Sequence, residues 1–316
     1  MITTITLNPA IDRTLIVDQC ILGKVHRIKS CREDVGGKGI NVAKVIHLLE
    51  GETTAIGFLG SRNKKEIEAY FHQENIQFDF VDIDDKNRVN TKIVDLSTMT
   101  TTDFNDSGFQ IHAEQISLIK SKVEEYAKVS DYMIFSGSMP WGCSEGLYKE
   151  LIELVKDHTK TVLDADGKLL AEGIKASPFL IKPNIHELEN TFGVKVDSIE
   201  DVIHAAQKIS KNYDIRWVLV SMGKEGSVLV SKEKVIMANP IPVKAINSVG
   251  AGDSMLGGFI NSYALDEDPF KALVYGTACG TLAVTTEGTQ GFTKDQVQVI
   301  QSKVVVNDVS SQYDHH

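Results

Sequence analysis

The sequence lacks the features by which several common classes of protein are recognised. None of its 316 residues falls in a GxxxxGK[ST] phosphate loop, which excludes the Walker A nucleotide-binding motif. Its apolar runs are far shorter than the roughly 20 residues that span a membrane. A formal net charge of −10, without any run of basic residues, argues against a nucleic-acid surface. An anionic substrate would therefore need a local positive pocket.

Cysteines are few, and their spacing gives no sign of a metal site. The four cysteines, Cys20, Cys31, Cys143 and Cys279, form no CxxC pair and no Cys/His spacing typical of zinc. Isolated thiols of this kind are typical of a reducing compartment. The chain also opens directly in a strand pattern, without a charged segment followed by an apolar one. We therefore expect a cytoplasmic protein without a disulfide framework.

Strand-like apolar runs alternate with helical patterns from residue 120 onward, which is typical of βαβ units and a mostly parallel sheet. The predicted strands cover residues 132–135, 161–163, 179–181 and 217–220, and the predicted helices cover 40–50, 113–129, 144–157, 199–212, 253–263 and 269–285. Two segments interrupt the alternation with short strands of alternating polarity. We predict an α/β domain of residues 1–11, 35–87 and 104–316, and a small second sheet formed by 12–34 and 88–103.

The most informative segment is a glycine-rich turn that leads into an apolar helix. Backbone N–H groups of Gly250, Ala251 and Gly252 can surround an anion, and the helix dipole adds positive charge. A carboxylate at Asp253 would repel a phosphate, so it is better suited to take a proton from a hydroxyl during phosphoryl transfer. Alternatively, Asp253 only favours the helix dipole. A dinucleotide-binding motif is weakly supported, because Gly257 comes too late for GxGxxG.

A second glycine-rich segment precedes the first predicted helix. Gly36 and Gly37 let the backbone approach a ligand, Lys38 adds a positive charge, and Asn41 offers an amide in the first helical turn. Arg88, at the start of the second strand-like segment, would suit a sugar phosphate through its fork of donors. The alternatives are a mobile loop with a solvated lysine and a solvated surface arginine.

Polar segments also follow predicted strands, at the carboxyl edge where ligands of α/β sheets bind. Asn184 and Glu187 would share a helix face, a spacing that suits either a magnesium ion held through its waters or a capping box. Ser221 begins a glycine turn that could form a nucleotide shelf or an ordinary hairpin connection. Ser138, after another strand with a buried pattern, could offer a hydroxyl to a ligand.

The order of these segments resembles that of the ribokinase-like, or PfkB, carbohydrate kinases. The resemblance runs from Leu7 to at least Gly288 and rests on Asp12, GGKGxN, an arginine before a short strand, SGSMP, KPNxxE, SMGxEG and GAGD. It implies a doubly wound α/β domain with a β-sheet lid, here residues 12–34 and 88–103. One position departs from the family pattern, because Asn247 stands where many members carry an aspartate.

The resemblance also implies roles for individual residues. Asp253 matches the catalytic base, and Gly250, Ala251 and Gly252 match the anion hole. Contacts to ATP match Lys182, Asn184, Ser221, Gly223 and Gly226, and Mg²⁺ would be held by Asn184 and Glu187 through water. Contacts to the sugar match Asp12, Gly36, Gly37, Lys38 and Asn41, while Lys38, Arg88 and Ser138 match the residues for the phosphate already on the sugar.

Within the family, residues 4–12 resemble the branch that acts on phosphorylated ketohexoses. Residues 102–108 and the phrase VGAGDSM look more like kinases of fructose 1-phosphate than kinases of tagatose 6-phosphate. The resemblance therefore implies phosphorylation of D-fructose 1-phosphate by ATP at the C6 hydroxyl, giving fructose 1,6-bisphosphate. Tagatose 6-phosphate remains the alternative substrate, and a non-catalytic sugar-phosphate sensor is the alternative of another class. Exposed lid edges predict a homodimer through the lid. We expect no nucleic-acid or membrane partner.

Overall fold

A computed structural model describes residues 1–246, 248–286 and 291–313 of the chain. Asn247, where the sequence departs from the family pattern, and Gly288, to which the resemblance extends at least, lie outside the described residues. The described strands are β1 (Ile2–Thr6), β2 (Ala10–Val17), β3 (Ser30–Gly36), β4 (Thr53–Gly60), β5 (Gln77–Ile83), β6 (Arg88–Asp95), β7 (Thr100–Phe104), β8 (Tyr132–Ser136), β9 (Lys160–Asp164), β10 (Leu180–Ile181), β11 (Trp217–Ser221), β12 (Ser227–Val230), β13 (Val235–Ala238) and β14 (Val306–Asp308). The described α-helices are α1 (Lys38–Leu48), α2 (Lys65–Gln73), α3 (Ala113–Ala127), α4 (Leu147–Val155), α5 (Gly167–Gly173), α6 (Ile185–Phe192), α7 (Ile199–Tyr213), α8 (Ala251–Asp266), α9 (Pro269–Ala283) and α10 (Lys294–Gln301).

The large sheet is mostly parallel, as the alternating pattern predicts. Its strand order is β14-β13-β12-β11-β10-β9-β8-β1-β4-β5, and every pairing from β11 to β5 is parallel. Strands β12, β13 and β14 extend it with antiparallel pairings, so the turn at Ser221 is a hairpin connection. This order places β1 in the interior of the sheet. Helices cover both faces of the sheet, which confirms the prediction of a doubly wound fold.

Alternate residues of the same strands explain why both faces are covered. On β8, Met133 and Phe135 pack into the core shared with α3, α4, α5, α6 and α7. Tyr132 and Ile134 point into the opposite core, shared with α1, α8 and α9. A parallel strand buried on both faces needs an almost continuous apolar run, and residues 132–135 supply one. Among the described residues, no helix is long and apolar enough to span a membrane.

A second sheet of four strands stands apart from the large one, in the order β3-β2-β6-β7. Its central pair, β2 and β6, is parallel, and each outer pair is antiparallel. The strand-like segments predicted within 12–34 and 88–103 are therefore strands. The sheet reaches further than those bounds, because β2 begins at Ala10 and β3 continues to Gly36. The division into an α/β domain and a lid remains a prediction.

Candidate active site

The predicted site segments meet at one edge of the large sheet. Strands β1, β8, β9, β10 and β11 are parallel neighbours, so their carboxyl ends lie side by side. The connections that follow these strands carry Asn8, Ser138, Lys182 and the glycine turn after Ser221. Ligands of α/β sheets bind at this edge, and the sequence-predicted residues are therefore grouped where a ligand can reach several of them.

Helix α8 begins with the predicted anion hole. Gly250 caps the helix in the left-handed region, with φ of 76°, a conformation that costs glycine least. Among the described residues, none accepts a hydrogen bond from the backbone N–H groups of Gly252 and Asp253. Such orphan donors in a first helical turn, together with the dipole, favour an anion.

Asp253 lies in that first turn and is 7% exposed. Asn41 of α1 donates a hydrogen bond of 2.8 Å from Nδ2 to Asp253 Oδ2. Burial and the nearby Asp164 carboxylate raise the pKa of Asp253 to about 6, while Lys38, Asn41 and Lys182 act in the opposite direction. At neutral pH the carboxylate is therefore ionised and poised to accept a proton.

A carboxylate that the sequence analysis did not single out lies at the centre of the site. Asp164, the last residue of β9, is fully buried. Its Oδ1 lies 3.2 Å from Lys38 Nζ and 3.5 Å from Lys182 Nζ, while its Oδ2 has no hydrogen-bond partner among the described residues. Burial alone would raise the pKa of Asp164, but the two ammonium groups outweigh it and hold that pKa below its usual value. A polar residue ending a buried parallel strand was the available sequence signal.

Lys38 connects this carboxylate to the rest of the site. Its Nζ lies 3.7 Å from Glu187 Oε1, in addition to its contact with Asp164. Burial would lower the pKa of Lys38, but Asp164, Asp253 and Glu187 together hold it above the usual value. The lysine is thus permanently charged, and it is not the solvated loop residue of the alternative interpretation.

Asn184 and Glu187 form the capping box that the sequence offered as an alternative. Asn184 Oδ1 accepts from the Glu187 backbone N–H at 2.9 Å, and Glu187 Oε2 accepts from the Asn184 backbone N–H at 2.8 Å. The capping box leaves Glu187 Oε1 near Lys38. No group of three or more His, Cys, Asp and Glu side chains that would hold a metal ion is found among the described residues.

The candidate nucleotide segments are adjacent. Ser221 and Asn184 form an isolated parallel bridge, and the Ser221 backbone N–H donates to Pro183 O at 3.2 Å. Gly223 and Gly226 both adopt positive φ, 57° and 91°. A Cβ on Gly226 would lie 2.2 Å from Ala238 O, so this position requires glycine. The glycine turn is therefore closely packed and lies beside the KPN segment.

Asp12 and the segment of residues 36–37, which are candidate sugar contacts, lie close together. Asn90 donates a 2.9 Å hydrogen bond from Nδ2 to Asp12 Oδ1. A Cβ on Gly36 would lie 2.0 Å from Asp12 Oδ2, and one on Gly37 would lie 2.9 Å from Thr6 Cγ2. Gly36 therefore lets the end of β3 pass directly beside Asp12, and Gly37 lets the following backbone pass beside Thr6.

Arg88 and Ser138 are joined through Asn8. The Arg88 Nε donates to Asn8 O at 3.1 Å, and Asn8 Nδ2 donates to Ser138 Oγ at 3.3 Å. Burial lowers the pKa of the half-buried Arg88 guanidinium. Asn8 itself is 3% exposed, and its Oδ1 lacks a partner among the described residues. The sequence analysis did not assign Asn8 a role.

Comparisons with known proteins agree with this geometry. A family model described as pfkB family carbohydrate kinase matches residues 5–296. The 1-phosphofructokinase of Haemophilus influenzae is 35% identical over 286 residues, which cover 90% of this chain and 91% of that protein. The 1-phosphofructokinase of Escherichia coli K12 is 32% identical over 304 residues, covering 96% and 97%. The structure of E. coli phosphofructokinase-2 in complex with potassium matches with a TM-score of 0.90 at 28% identity, covering 96% of this chain and 98% of that one.

Proposed function

Because the chain belongs to the pfkB family of carbohydrate kinases, we propose that it transfers the γ-phosphoryl group of ATP to the C6 hydroxyl of D-fructose 1-phosphate. The observation that carries this proposal is the buried Asp253 carboxylate at the start of α8, beside N–H groups that have no acceptor among the described residues. The substrate assignment is supported by relatives named 1-phosphofructokinase that match most of the chain.

In the proposed reaction, Asp253 removes the proton of the C6 hydroxyl as its oxygen attacks the γ-phosphorus. Asn41 keeps the accepting carboxylate in place through its hydrogen bond. The N–H groups at the start of α8 and the ammonium group of Lys182, which lies next to Gly252, stabilise the negative charge on the transferred group. The bond from the γ-phosphorus to the bridging oxygen breaks, and ADP leaves.

Magnesium is part of this proposal, and the donor atoms of the chain fit it. Asp164 Oδ2 is a buried oxygen without a partner among the described residues, and Glu187 Oε1 lies outside the capping box. Mg²⁺ prefers oxygen ligands and usually keeps waters and substrate phosphates in its shell, so few protein ligands are needed. When bound, it would neutralise phosphate charge. Asn184 and Glu187 would reach it through water.

We assign the phosphate already on the sugar to Lys38, Arg88 and Ser138. A charged hydrogen bond contributes about 1.5–3 kcal/mol, so Arg88→Ala should raise the KM for the sugar phosphate about tenfold or more. The KM for ATP should hardly change. Steady-state kinetics with each substrate varied in turn measures both values, and an effect confined to ATP would place Arg88 at the other ligand.

Substrate choice is tested by ADP release in the presence of three sugars: fructose 1-phosphate, fructose 6-phosphate and tagatose 6-phosphate. The proposal predicts the highest kcat/KM with fructose 1-phosphate. Preference for tagatose 6-phosphate would support the alternative kinase. Saturable binding of a sugar phosphate with no ADP released from any of the three would identify a sensor, and it would refute the proposed reaction.

The small sheet is proposed to act as a lid over the sugar and as a dimer interface. Its outer strands, β3 and β7, each have one edge without a partner strand among the described residues. Exposed apolar side chains lie on or beside it, including Leu22, Val25 and Phe104. Edge pairing with a second copy would cover them. The cytoplasmic location belongs to the same proposal and is supported by four free cysteines.

A further inference from the structure

A groove of about 630 Å³ lies beside the candidate anion hole. Gly250 and Ser254 of the α8 turn line it, and so do Val35 of β3, Lys44 of α1 and Tyr70 of α2. The groove therefore lies between the end of β3 in the small sheet and helices α1 and α2. None of the roles proposed above uses Lys44, although it is the lysine that lines this groove.

The Lys44 ammonium is held by groups that carry no formal charge. Its Nζ donates a short hydrogen bond to the backbone carbonyl of Val35 and lies 4.5 Å from the centre of the Tyr70 ring. Among the described residues, no carboxylate forms an ion pair with it. Lys44 is half-buried, and an ammonium held by a carbonyl and an aromatic face without a paired carboxylate is costly to desolvate.

Val35 leads directly into the glycine segment of the sugar site. The next residue, Gly36, passes so close to Asp12 that a Cβ would lie 2.0 Å from Oδ2. Lys44 also lies three residues after Asn41 on α1, and Asn41 holds Asp253. One helix thus positions the candidate base through Asn41 and the strand beside Asp12 through Lys44.

We propose that Lys44 is a positioning residue for the sugar: its ammonium holds the Val35 carbonyl and thereby keeps Gly36 against Asp12. The inference rests on the proposed function only in placing the sugar at Asp12. It does not depend on which sugar phosphate is the substrate. Lys44 acts on the strand and not on the reacting atoms.

The charge of Lys44 is sensitive to pH in the neutral range. Burial lowers its pKa to about 8, while Asp34, Asp12, Glu74 and Asp253 favour the charged form. The titratable and charged groups that face the groove or influence Lys44 are Glu33 and Asp34 of β3, Asp12 of β2, His47 of α1, Glu66 and Tyr70 of α2, Glu74 directly after α2, and Asp253 of α8. The ammonium is present below about pH 8 and is lost above it. A neutral amine donates a weaker hydrogen bond and makes no cation–π contact.

The test compares wild type with Lys44→Arg and Lys44→Met from about pH 6.5 to about pH 9.5, a range that spans the lysine titration. In wild type, the KM for the sugar should rise above pH 8. In Lys44→Arg it should stay level, because guanidinium remains charged. In Lys44→Met the KM for the sugar should be about tenfold higher than in wild type at pH 7, because a charged hydrogen bond is lost. It should not rise further with pH. The KM for ATP should be unchanged throughout.

Lys65→Met is the matched control, because Lys65 is an exposed lysine at the start of α2. It should behave as wild type. An unchanged sugar KM in Lys44→Met would overturn the proposal, and so would a rise with pH that Lys44→Arg reproduces. Either result counts against the proposal only if kcat/KM of the Lys65→Met control equals that of wild type.

Hydrogen exchange separates this inference from the proposed function. Without any substrate, Lys44→Met should speed exchange of residues 33–37 and leave the large sheet unchanged. If wild type phosphorylates none of the sugars, the proposed function fails while the exchange comparison still decides the role of Lys44. Identical exchange of residues 33–37 in wild type and Lys44→Met would refute the positioning role.

Discussion

Two buried aspartates at the site have opposite properties, and their neighbours explain the difference. Asp164 lies between two ammonium groups, which hold its pKa low and keep it charged. Asp253 has an amide donor and no ion pair among the described residues, and burial raises its pKa to about 6. An environment that separates the pKa values of two carboxylates also separates their roles. Asp253 is suited to exchange a proton, and Asp164 to remain a fixed negative charge.

The raised pKa of Asp253 predicts the acid limb of the activity profile. Activity should fall as the pH drops through about 6, because a protonated carboxyl cannot accept the hydroxyl proton. We expect kcat/KM for the sugar to be level between about pH 7 and about pH 8, where Lys44 is still charged, and to decline below about pH 7. The measurement is the steady-state rate as a function of pH.

The phosphate of the sugar also titrates near pH 6 and needs a control. Asn41→Ala removes the hydrogen bond that lowers the pKa of Asp253, so the acid limb should move to higher pH. The titration of the substrate is the same for both enzymes. A limb that stays in place in Asn41→Ala would show that the substrate, and not Asp253, is responsible.

At the scale of elements, helix α8 begins with the proposed anion hole and packs closely on its neighbours through glycines. A Cβ at Gly257 would lie 2.9 Å from Val45 Cβ of α1, and one at Gly258 would lie 2.6 Å from Cys279 Sγ of α9. A Cβ at Gly252 would instead meet the end of a flexible side chain, Lys182 Nζ, at 3.0 Å. The first two glycines serve packing, and the third serves the site.

This difference predicts opposite effects of two alanine substitutions. Gly252→Ala should lower kcat, because the methyl group enters the anion hole and displaces Lys182, while the unfolding temperature stays equal or rises. Gly257→Ala should lower the free energy of unfolding by about 1–3 kcal/mol through overpacking against α1. Thermal unfolding and steady-state kinetics measure both variants. Full activity in Gly252→Ala would contradict the role assigned to the helix start.

At the scale of the whole molecule, the account requires the small sheet to close over the sugar. Bound sugar phosphate should protect residues 12–34 and 88–103 from hydrogen exchange, because closure excludes water from these strands. The large sheet away from the site should exchange as before. If both segments exchange identically with and without saturating ligand, the small sheet is not a lid.

Much of this molecule could be predicted from local patterns, and the rest depends on topology. The helices predicted at 40–50 and 269–285 correspond to α1 and α9 within two residues, since apolar period and the proline at residue 269 are local signals. The contact of Asp164 with Lys38 joins residues 126 positions apart, which only the strand order brings together. Lys44 likewise could not be recognised, because a lysine on an amphipathic helix looks solvated until the strand above it is known.

The most direct test of the central claim is the turnover of Asp253→Asn with ATP and fructose 1-phosphate. Loss of the general base should lower kcat by roughly a hundredfold to ten-thousandfold, with little change in nucleotide binding. The fold should survive, because a carboxylate with a raised pKa destabilises the native state above that pKa. The variant should therefore unfold at an equal or higher temperature at pH 7. A folded Asp253→Asn enzyme with turnover close to wild type would contradict the account.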